Sequence, residues 1–197
     1  MRIDETAVPG TYRLLPERFE DERGHFYEAA KHSELTAATG LPFEVRQVNN
    51  SVSRRGVLRG LHCNDVPADA GKLVTCVRGS ILDVMVDLRE GSPAFGRYAV
   101  NRLHADEGTA LYLPGGIGHA FLALEDGTCV NYLLSAEYAP GAMVDVDALD
   151  PGLDLPWELD GPPIRSAKDA AAPSLAEVVA SGRLPRYAPL REELIRP

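Results

Sequence analysis

A short glycine-rich stretch brings together side chains that could bind an anion and move a proton. Arg59 and His62 lie close together in it, and Lys72 follows ten residues after His62. A guanidinium stays charged, an imidazole exchanges a proton near neutral pH, and an ammonium can neutralise a developing negative charge. The stretch predicts an anion-binding, proton-transferring site, for which the remaining chain must supply an acid, a second proton carrier and a pocket.

Length and composition favour one globular domain. The 197 residues are 45% hydrophobic and 25% charged, and all-β barrels of this size commonly form a single core. We expect residues 1–197 to form one domain. The segment 150–197 is rich in proline, which does not suit central strands, and we expect it to be a tail packed on the same domain.

Charge and hydropathy exclude several classes of partner. The net charge of −9 disfavours nucleic acid and anionic membranes. No stretch approaches the roughly 20 apolar residues of a membrane helix, and the N-terminus has no apolar signal core. Three irregularly spaced cysteines argue against a disulfide framework or a zinc finger. These features predict a cytoplasmic protein with neither nucleic-acid nor membrane partners.

Short strand patterns dominate the middle of the chain. Apolar or alternating runs separated by glycine-containing turns occupy 73–77, 81–88, 96–101, 109–113, 120–124 and 129–134. Such spacing without long helical patterns predicts an all-β sandwich or barrel. A looser alternation predicts a strand at 44–51. Short helices are expected at 31–39, near the N-terminus, and at 173–180 in the C-terminal tail, the second with Ser174 as its N-cap.

The run 81–88 carries two acids on one of its faces. Asp83 and Asp87 alternate with Ile81 and Met85, whereas the opposite face is wholly apolar. The two carboxylates belong either to a polar barrel interior or to a solvated outer face. We favour the interior, and assign Asp83 no chemical role.

A second motif favours one kind of barrel. It consists of Gly108, Pro114, Gly116 and His119. This spacing is typical of the second motif of cupins and favours a cupin-type jelly roll. Metal-binding cupins add a His-x-His pair and a carboxylate, but the corresponding place here reads His62-Cys63-Asn64. A metal-dependent cupin such as an oxygenase, with His62, His119 and a carboxylate as ligands, is therefore an alternative.

Five blocks of sequence occur in an order typical of one enzyme family. They are Arg59-Gly60-Leu61-His62, Gly71-Lys72-Leu73-Val74, the run Gly79 to Leu88, the run Gly91 to Gly96 and the run Pro114 to Phe121. Together they resemble the dTDP-4-dehydrorhamnose 3,5-epimerase family over about residues 3 to 187. The resemblance implies a homodimeric cupin that epimerises a dTDP-linked 4-keto-6-deoxy sugar without a metal or other cofactor. Some relatives of this kind serve deoxysugar pathways of antibiotic biosynthesis.

The resemblance also implies a role for each matching residue. His62 matches the catalytic base, Asp169 the acid that orients it, and Tyr132 the general acid on the opposite face of the sugar. Lys72 matches the cation beside the ketone oxygen, and Arg59 a contact to the diphosphate. The remaining matches line the site, most of them at its nucleotide end and some from the second subunit: Arg23, Phe26, Glu28, Gln47, Asn49, His119 and Tyr138.

The chemistry fits these residue types independently of the resemblance. A proton alpha to a ketone is removed only if the resulting enolate is stabilised, so the site needs a base, a cation at the oxygen and a proton donor across the ring. His62, Lys72 and Tyr132 can supply these three functions. A binding module that kept the basic groove but lost turnover is the alternative outside the enzymes.

Several departures from the family pattern lie near the expected site. Cys63-Asn64 replaces an aromatic residue and Gln, Ala120 replaces Gly, and Ala148-Leu149 replaces Trp-Asn. We expect these changes to touch the pocket or its lid more than the acid–base residues. They predict an altered sugar, or an altered choice among C3, C5 or both, with the enolisation chemistry kept.

Overall fold

A computed structural model describes residues 1–64, 70–139 and 141–187. The strands are β1 Arg2–Glu5, β2 Tyr12–Leu15, β3 Arg18–Asp21, β4 Gly24–Tyr27, β5 Gln47–Ser53, β6 Leu58–Asn64, β7 Gly71–Arg78, β8 Ser80–Asp87, β9 Tyr98–His104, β10 Ala110–Pro114, β11 Ile117–Ala123, β12 Thr128–Leu134 and β13 Met143–Asp145. The helices are α1 His32–Thr39, α2 Ala167–Ala170 and α3 Leu175–Ser181, with a 3₁₀ turn at Ala105–Glu107.

Two antiparallel sheets form the barrel. The first has the strand order β1-β2-β10-β7-β12-β5, and the second has the order β13-β6-β11-β8-β9. Their inward faces share one apolar cluster, in which Val74, Leu111 and Val130 of the first sheet meet Met85 and Phe121 of the second. The all-β, cupin-type barrel predicted from the sequence is confirmed.

The C-terminal tail covers the outer face of the second sheet. Leu153, Val178 and Leu184 of the tail pack in one buried cluster with Leu61 and Val84. Because β8 is thereby covered on both faces, each of its residues is buried. The predicted facing of this strand is correct, since its apolar face meets the tail while Asp83 and Asp87 are fully buried on the interior side.

Helix α3 has the predicted start. Ser174 Oγ accepts from the Glu177 backbone N–H, and the Glu177 carboxylate accepts from the Ser174 N–H, which completes a capping box. The helix runs one residue beyond the predicted end and closes at Gly182, whose positive φ of 64° suits glycine. Within the described ranges of the chain, none of the helices has the length and hydropathy needed to cross a membrane.

Strand β6 carries a bulge that the sequence pattern did not reveal. His62 lies opposite His119, and Arg59 lies opposite Phe121. Two residues of β6, Gly60 and Leu61, therefore oppose a single residue of β11. In a regular strand, residues three apart face opposite sides. The extra residue turns Arg59 and His62 to the same interior side, where both line one cleft.

Gly60 makes this bulge possible, and its replacement by alanine is expected to be costly. Gly60 has φ +111°, and a Cβ there would lie 2.6 Å from the His119 carbonyl oxygen. We expect Gly60→Ala to lower the free energy of unfolding by about 3 kcal/mol or more, through backbone strain and the clash. Denaturant unfolding followed by circular dichroism measures the loss.

Gly56 provides the matched control for this substitution. It also has a positive φ, +79°, but a Cβ there meets nothing within 4 Å. Gly56→Ala should therefore show only the backbone term, about 1 kcal/mol. Equal losses of unfolding free energy in Gly60→Ala and Gly56→Ala would mean that the close approach of β6 and β11 at Gly60 adds no cost of its own.

Candidate active site

A cleft of about 520 Å³ lies between the inward faces of the two sheets. Lys72 of β7 and Tyr132 of β12 line it from the first sheet, and Arg59, His62 and His119 line it from the second. The barrel thus brings together residues that are up to 73 positions apart in the chain, from Arg59 to Tyr132.

His62 is held by a carboxylate from the tail. Its Nε2 lies 2.7 Å from Asp169 Oδ1, and the side chains of His62 and Asp169 are 32% and 6% exposed. Asp169 sits on α2, where its backbone N–H is capped by Ser166 Oγ at 3.0 Å. A carboxylate on Nε2 keeps the proton on that nitrogen, which leaves Nδ1 as the basic nitrogen of the neutral ring.

Tyr132 lies beside His119 in the cleft. The two rings meet edge to face, with centroids 6.1 Å apart. Burial raises the pKa of the Tyr132 hydroxyl to about 12. At neutral pH the phenol is therefore protonated and can act as a proton donor.

The Lys72 ammonium makes no direct contact with a carboxylate among the described residues. In residues 1–64, 70–139 and 141–187 no side chain forms a hydrogen bond or an ion pair with its ammonium. Burial lowers the pKa of Lys72 below the usual value for lysine, while Cys63 and Asp83 oppose this shift. The ammonium is therefore available to an anionic or polarised oxygen in the cleft.

His119 forms a buried pair with Asp83. Its Nε2 lies 2.5 Å from Asp83 Oδ2, and both side chains are buried. Burial lowers the pKa of His119, and the Asp83 charge opposes this shift. Asp83, to which the sequence assigned no role, is therefore the partner of His119. The only sequence signal for this pair was an acid on the interior face of β8.

A smaller cavity of about 180 Å³ adjoins the cleft and shares Asn49 and Lys72 with it. Gln47 Nε2 donates to Asn49 Oδ1 at 2.9 Å, and Gln47 Oε1 accepts from the Tyr138 backbone N–H at 2.8 Å. Three of the residues expected at the nucleotide end are therefore gathered here. Arg59 is fixed nearby by hydrogen bonds to Ser53 Oγ at 3.0 Å and to a β5 carbonyl.

The other three residues expected at the nucleotide end lie elsewhere in the chain's own fold. Arg23 and Phe26 belong to the β3–β4 hairpin, and Glu28 follows it. Arg23 pairs with Asp21, Glu28 pairs with Lys31, and the Phe26 side chain is 66% exposed. None of the three is among the described residues that line the cleft or the adjoining cavity.

The departures from the family pattern affect packing more than the cleft. Cys63, Ala120 and Ala148 are buried in the cluster beneath the tail, and Trp157 Nε1 donates to the Ala148 carbonyl at 2.7 Å. Asn64 alone of the replaced residues lines both cavities. The expectation that these changes touch the pocket or its lid was therefore wrong for Cys63 and Ala120, because alternation along β6 and β11 turns them away from the cleft. Ala148 lies in a turn after β13 and contacts Trp157 in the segment that covers the sheet.

The metal-dependent alternative needs a cluster of ligands. Within the parts of the chain that the structure describes, no three His, Cys, Asp or Glu side chains are grouped so as to hold a metal ion. His62 and His119 face each other across β6 and β11, but each is bound by its own carboxylate.

The antiparallel two-sheet barrel and its interior polar cleft define a cupin-type protein. Comparison with known families identifies it further. The family model for dTDP-4-dehydrorhamnose 3,5-epimerase matches residues 5–177, and the chain belongs to this family.

Known relatives cover nearly the whole chain. It is 47% identical over 189 residues to a dTDP-4-dehydrorhamnose 3,5-epimerase of Mycobacterium tuberculosis, covering 95% of this chain and 94% of that protein. It is 41% identical over 187 residues to a dTDP-4-dehydro-6-deoxyglucose 3-epimerase of Streptomyces bikiniensis, covering 95% of each. The crystal structure of ChmJ, a 3'-monoepimerase from Streptomyces bikiniensis in complex with dTDP-quinovose, superposes with a TM-score of 0.89 at 40% identity over 95% of both chains.

Proposed function

We propose that this protein epimerises a dTDP-linked 4-keto-6-deoxyhexose at C3, C5 or both, by removal and return of a proton next to the ketone. The observation that carries the proposal is that His62, bound by Asp169, lines one cleft with Lys72 and Tyr132. The 3,5-epimerase and 3-epimerase names of its relatives support the substrate class.

His62 begins the reaction as the base. The basic nitrogen takes the proton from the carbon beside the ketone, the C–H electron pair becomes the C=C bond of the enolate, and the carbonyl π pair moves to oxygen. Asp169 stabilises the imidazolium that forms. The Lys72 ammonium stabilises the negative oxygen, which is the group that gains charge in the transition state.

Tyr132 completes the inversion. Its neutral phenol gives a proton to the opposite face of the same carbon, and the enolate electron pair forms the new C–H bond. The resulting phenolate then regains a proton from solvent, because a group with a pKa of about 12 is protonated at neutral pH. The His62 imidazolium releases the substrate proton to solvent, which restores both groups for the next turnover. Inversion follows because the base and the acid act on opposite faces of the ring.

The nucleotide occupies the cationic and amide-lined part of the site. Arg59 is a fixed guanidinium that suits the diphosphate, and Gln47, Asn49 and Tyr138 line the adjoining cavity that receives the nucleoside. This arrangement leaves the sugar between His62 and Tyr132.

The protein acts as a homodimer in which the β3–β4 hairpin completes the partner's site. Phe19 and Phe26 are exposed on the hairpin, and Val48 and Val52 are exposed on the edge strand β5. Exposed apolar side chains on an unpaired strand edge favour association with a second chain. The hairpin residues Arg23 and Phe26 would then reach the nucleotide end from the second subunit, and sedimentation analysis of the intact protein tests this state.

The proposed function is tested by product analysis. The protein is incubated with dTDP-4-keto-6-deoxyglucose, and proton NMR coupling constants identify the configuration at C3 and C5. Inversion at one or both carbons is expected. Binding of dTDP with no change in the sugar would instead identify a nucleotide-sugar binding module.

Lys72 should set the alkaline limit of activity. Because its pKa is lowered by burial, the ammonium is lost at a lower pH than an ordinary lysine, whose pKa is about 10.4. We expect kcat/KM to fall as pH rises through this lowered value, well before Tyr132 ionises near 12. The pH profile of the wild type and of Lys72→Arg measures this, since arginine stays charged throughout. An alkaline limb at the same pH in both proteins would assign it to another group.

A further inference from the structure

His62 has a second carboxylate beside it. Asp145 Oδ1 lies 3.8 Å from His62 Nε2, whereas Asp169 Oδ1 lies at 2.7 Å. Asp145 is opposite His62 in the β13–β6 pairing, so the register of the two strands fixes its position. The distance is too long for a hydrogen bond but short enough for the charge to act on the imidazole.

Lys168 restrains this second carboxylate. Its Nζ lies 2.9 Å from Asp145 Oδ1 and 3.0 Å from Met143 Sδ. Lys168 directly precedes Asp169 on α2. One helical turn of the tail therefore carries both the carboxylate that binds His62 and the cation that binds Asp145.

The formal charges of His62, Asp145, Lys168 and Asp169 sum to zero only when His62 is protonated. With a neutral imidazole, the two carboxylates and one ammonium carry a net charge of −1. When His62 accepts the substrate proton, the four groups together become neutral. The negative charge of Asp145 favours the imidazolium, and the Lys168 ammonium opposes that effect.

Other titratable or charged groups also face the imidazole. Arg59 on β6, Lys72 on β7, His119 on β11 and Tyr132 on β12 line the same cleft as His62, Asp169 on α2 binds the ring directly, and Asp83 on β8 lies behind His119. None of these groups is replaced in Asp145→Asn or Lys168→Met, so each substitution removes one charge, negative in the first and positive in the second.

We propose that Asp145 and Lys168 are positioning residues that set the pH range in which His62 is a free base. The catalytic role of these two residues rests on the proposed epimerase function, whereas their effect on His62 does not. Neither residue contacts the substrate directly, and both act through His62.

The test follows the protonation of His62 directly and the activity separately. The imidazole resonances of the five histidines are titrated by NMR in the intact protein, and His62→Asn assigns the one of interest. We expect the His62 midpoint to fall by about half a pH unit in Asp145→Asn and to rise by a similar amount in Lys168→Met. The shifts are small because Asp145 and Lys168 are 22% and 55% exposed and water screens their charges. The acidic limb of the pH profile of solvent exchange should move in the same two directions.

Two further variants separate charge from structure. Asp160→Asn removes one carboxylate from a surface pair with Arg55 and should leave the midpoint in place, and Lys168→Arg should stay close to the wild type. Unchanged midpoints in Asp145→Asn and Lys168→Met, or shifts in the same direction, would overturn the inference. Opposite NMR shifts in a protein without any solvent exchange would instead reject the epimerase function and leave the charge effect established.

Discussion

Replacing His62 by asparagine is expected to lower both solvent exchange and net epimerisation by about 10³-fold, the scale of a lost general base. Asparagine cannot accept the substrate proton. Its amide N–H can still donate to Asp169, so this buried carboxylate keeps a hydrogen-bond donor in the variant. The loss should therefore appear in the rate rather than in folding. Single-turnover measurements with dTDP-4-keto-6-deoxyglucose give both rates, and a thermal melt checks the fold.

His104→Asn is the matched control for His62→Asn. His104 lies at the end of β9 with a half-exposed side chain, outside the described lining of the cleft. It should keep activity close to that of the wild type. A His62→Asn protein that retains exchange within tenfold of the wild type would show that another group is the base.

Replacing Tyr132 by phenylalanine is expected to separate the two halves of the reaction. Phenylalanine keeps the ring that packs against His119 but has no proton to give to the opposite face. Net inversion should fall by about 10²-fold or more, whereas exchange of the substrate proton with solvent should stay within about tenfold, because His62 can still form the enolate and return a proton to the same face.

The ratio of exchange to inversion is the informative quantity for Tyr132→Phe. It is measured in deuterium oxide by following label and configuration in the same sample. Tyr98→Phe, on the exposed side of β9, should leave the ratio unchanged. Equal loss of exchange and inversion in Tyr132→Phe would remove Tyr132 from the role of acid.

Features that depend on local pattern were predictable from the sequence. The alternation in 81–88 predicted both faces of β8, and Ser174 with Glu177 predicted the start of α3. The predicted strand at 120–124 is observed as Ile117–Ala123, because pairing with β8 extends the strand back to the glycine turn at Gly116.

Features that depend on pairing between distant segments were not predictable in the same way. Strand β6 was missed because its bulge breaks the alternation, and the bulge is visible only in the register with β11. The partner of Asp83 is His119, on a neighbouring strand 36 residues away. No sequence pattern marked Asp145 as a site residue, because only the β13–β6 register places it beside His62.

The family resemblance assigned positions in the site but not the chain that supplies them. His62, Asp169, Lys72 and Tyr132 come together within one chain, because the strands and the tail that carry them belong to one barrel. The hairpin residues, Arg23 among them, lie outside that cleft, and their place in the site remains a prediction that depends on the homodimer.

Epimerisation through His62 is tested most directly by the fate of the protons beside the ketone. The wild type and His62→Asn are incubated in deuterium oxide with dTDP-4-keto-6-deoxyglucose, and NMR and mass spectrometry locate the deuterium. The proposed mechanism predicts deuterium at C3, C5 or both with the wild type and at least about 10³-fold slower labelling with His62→Asn. A folded wild-type protein that binds dTDP but introduces no deuterium at either carbon would contradict it.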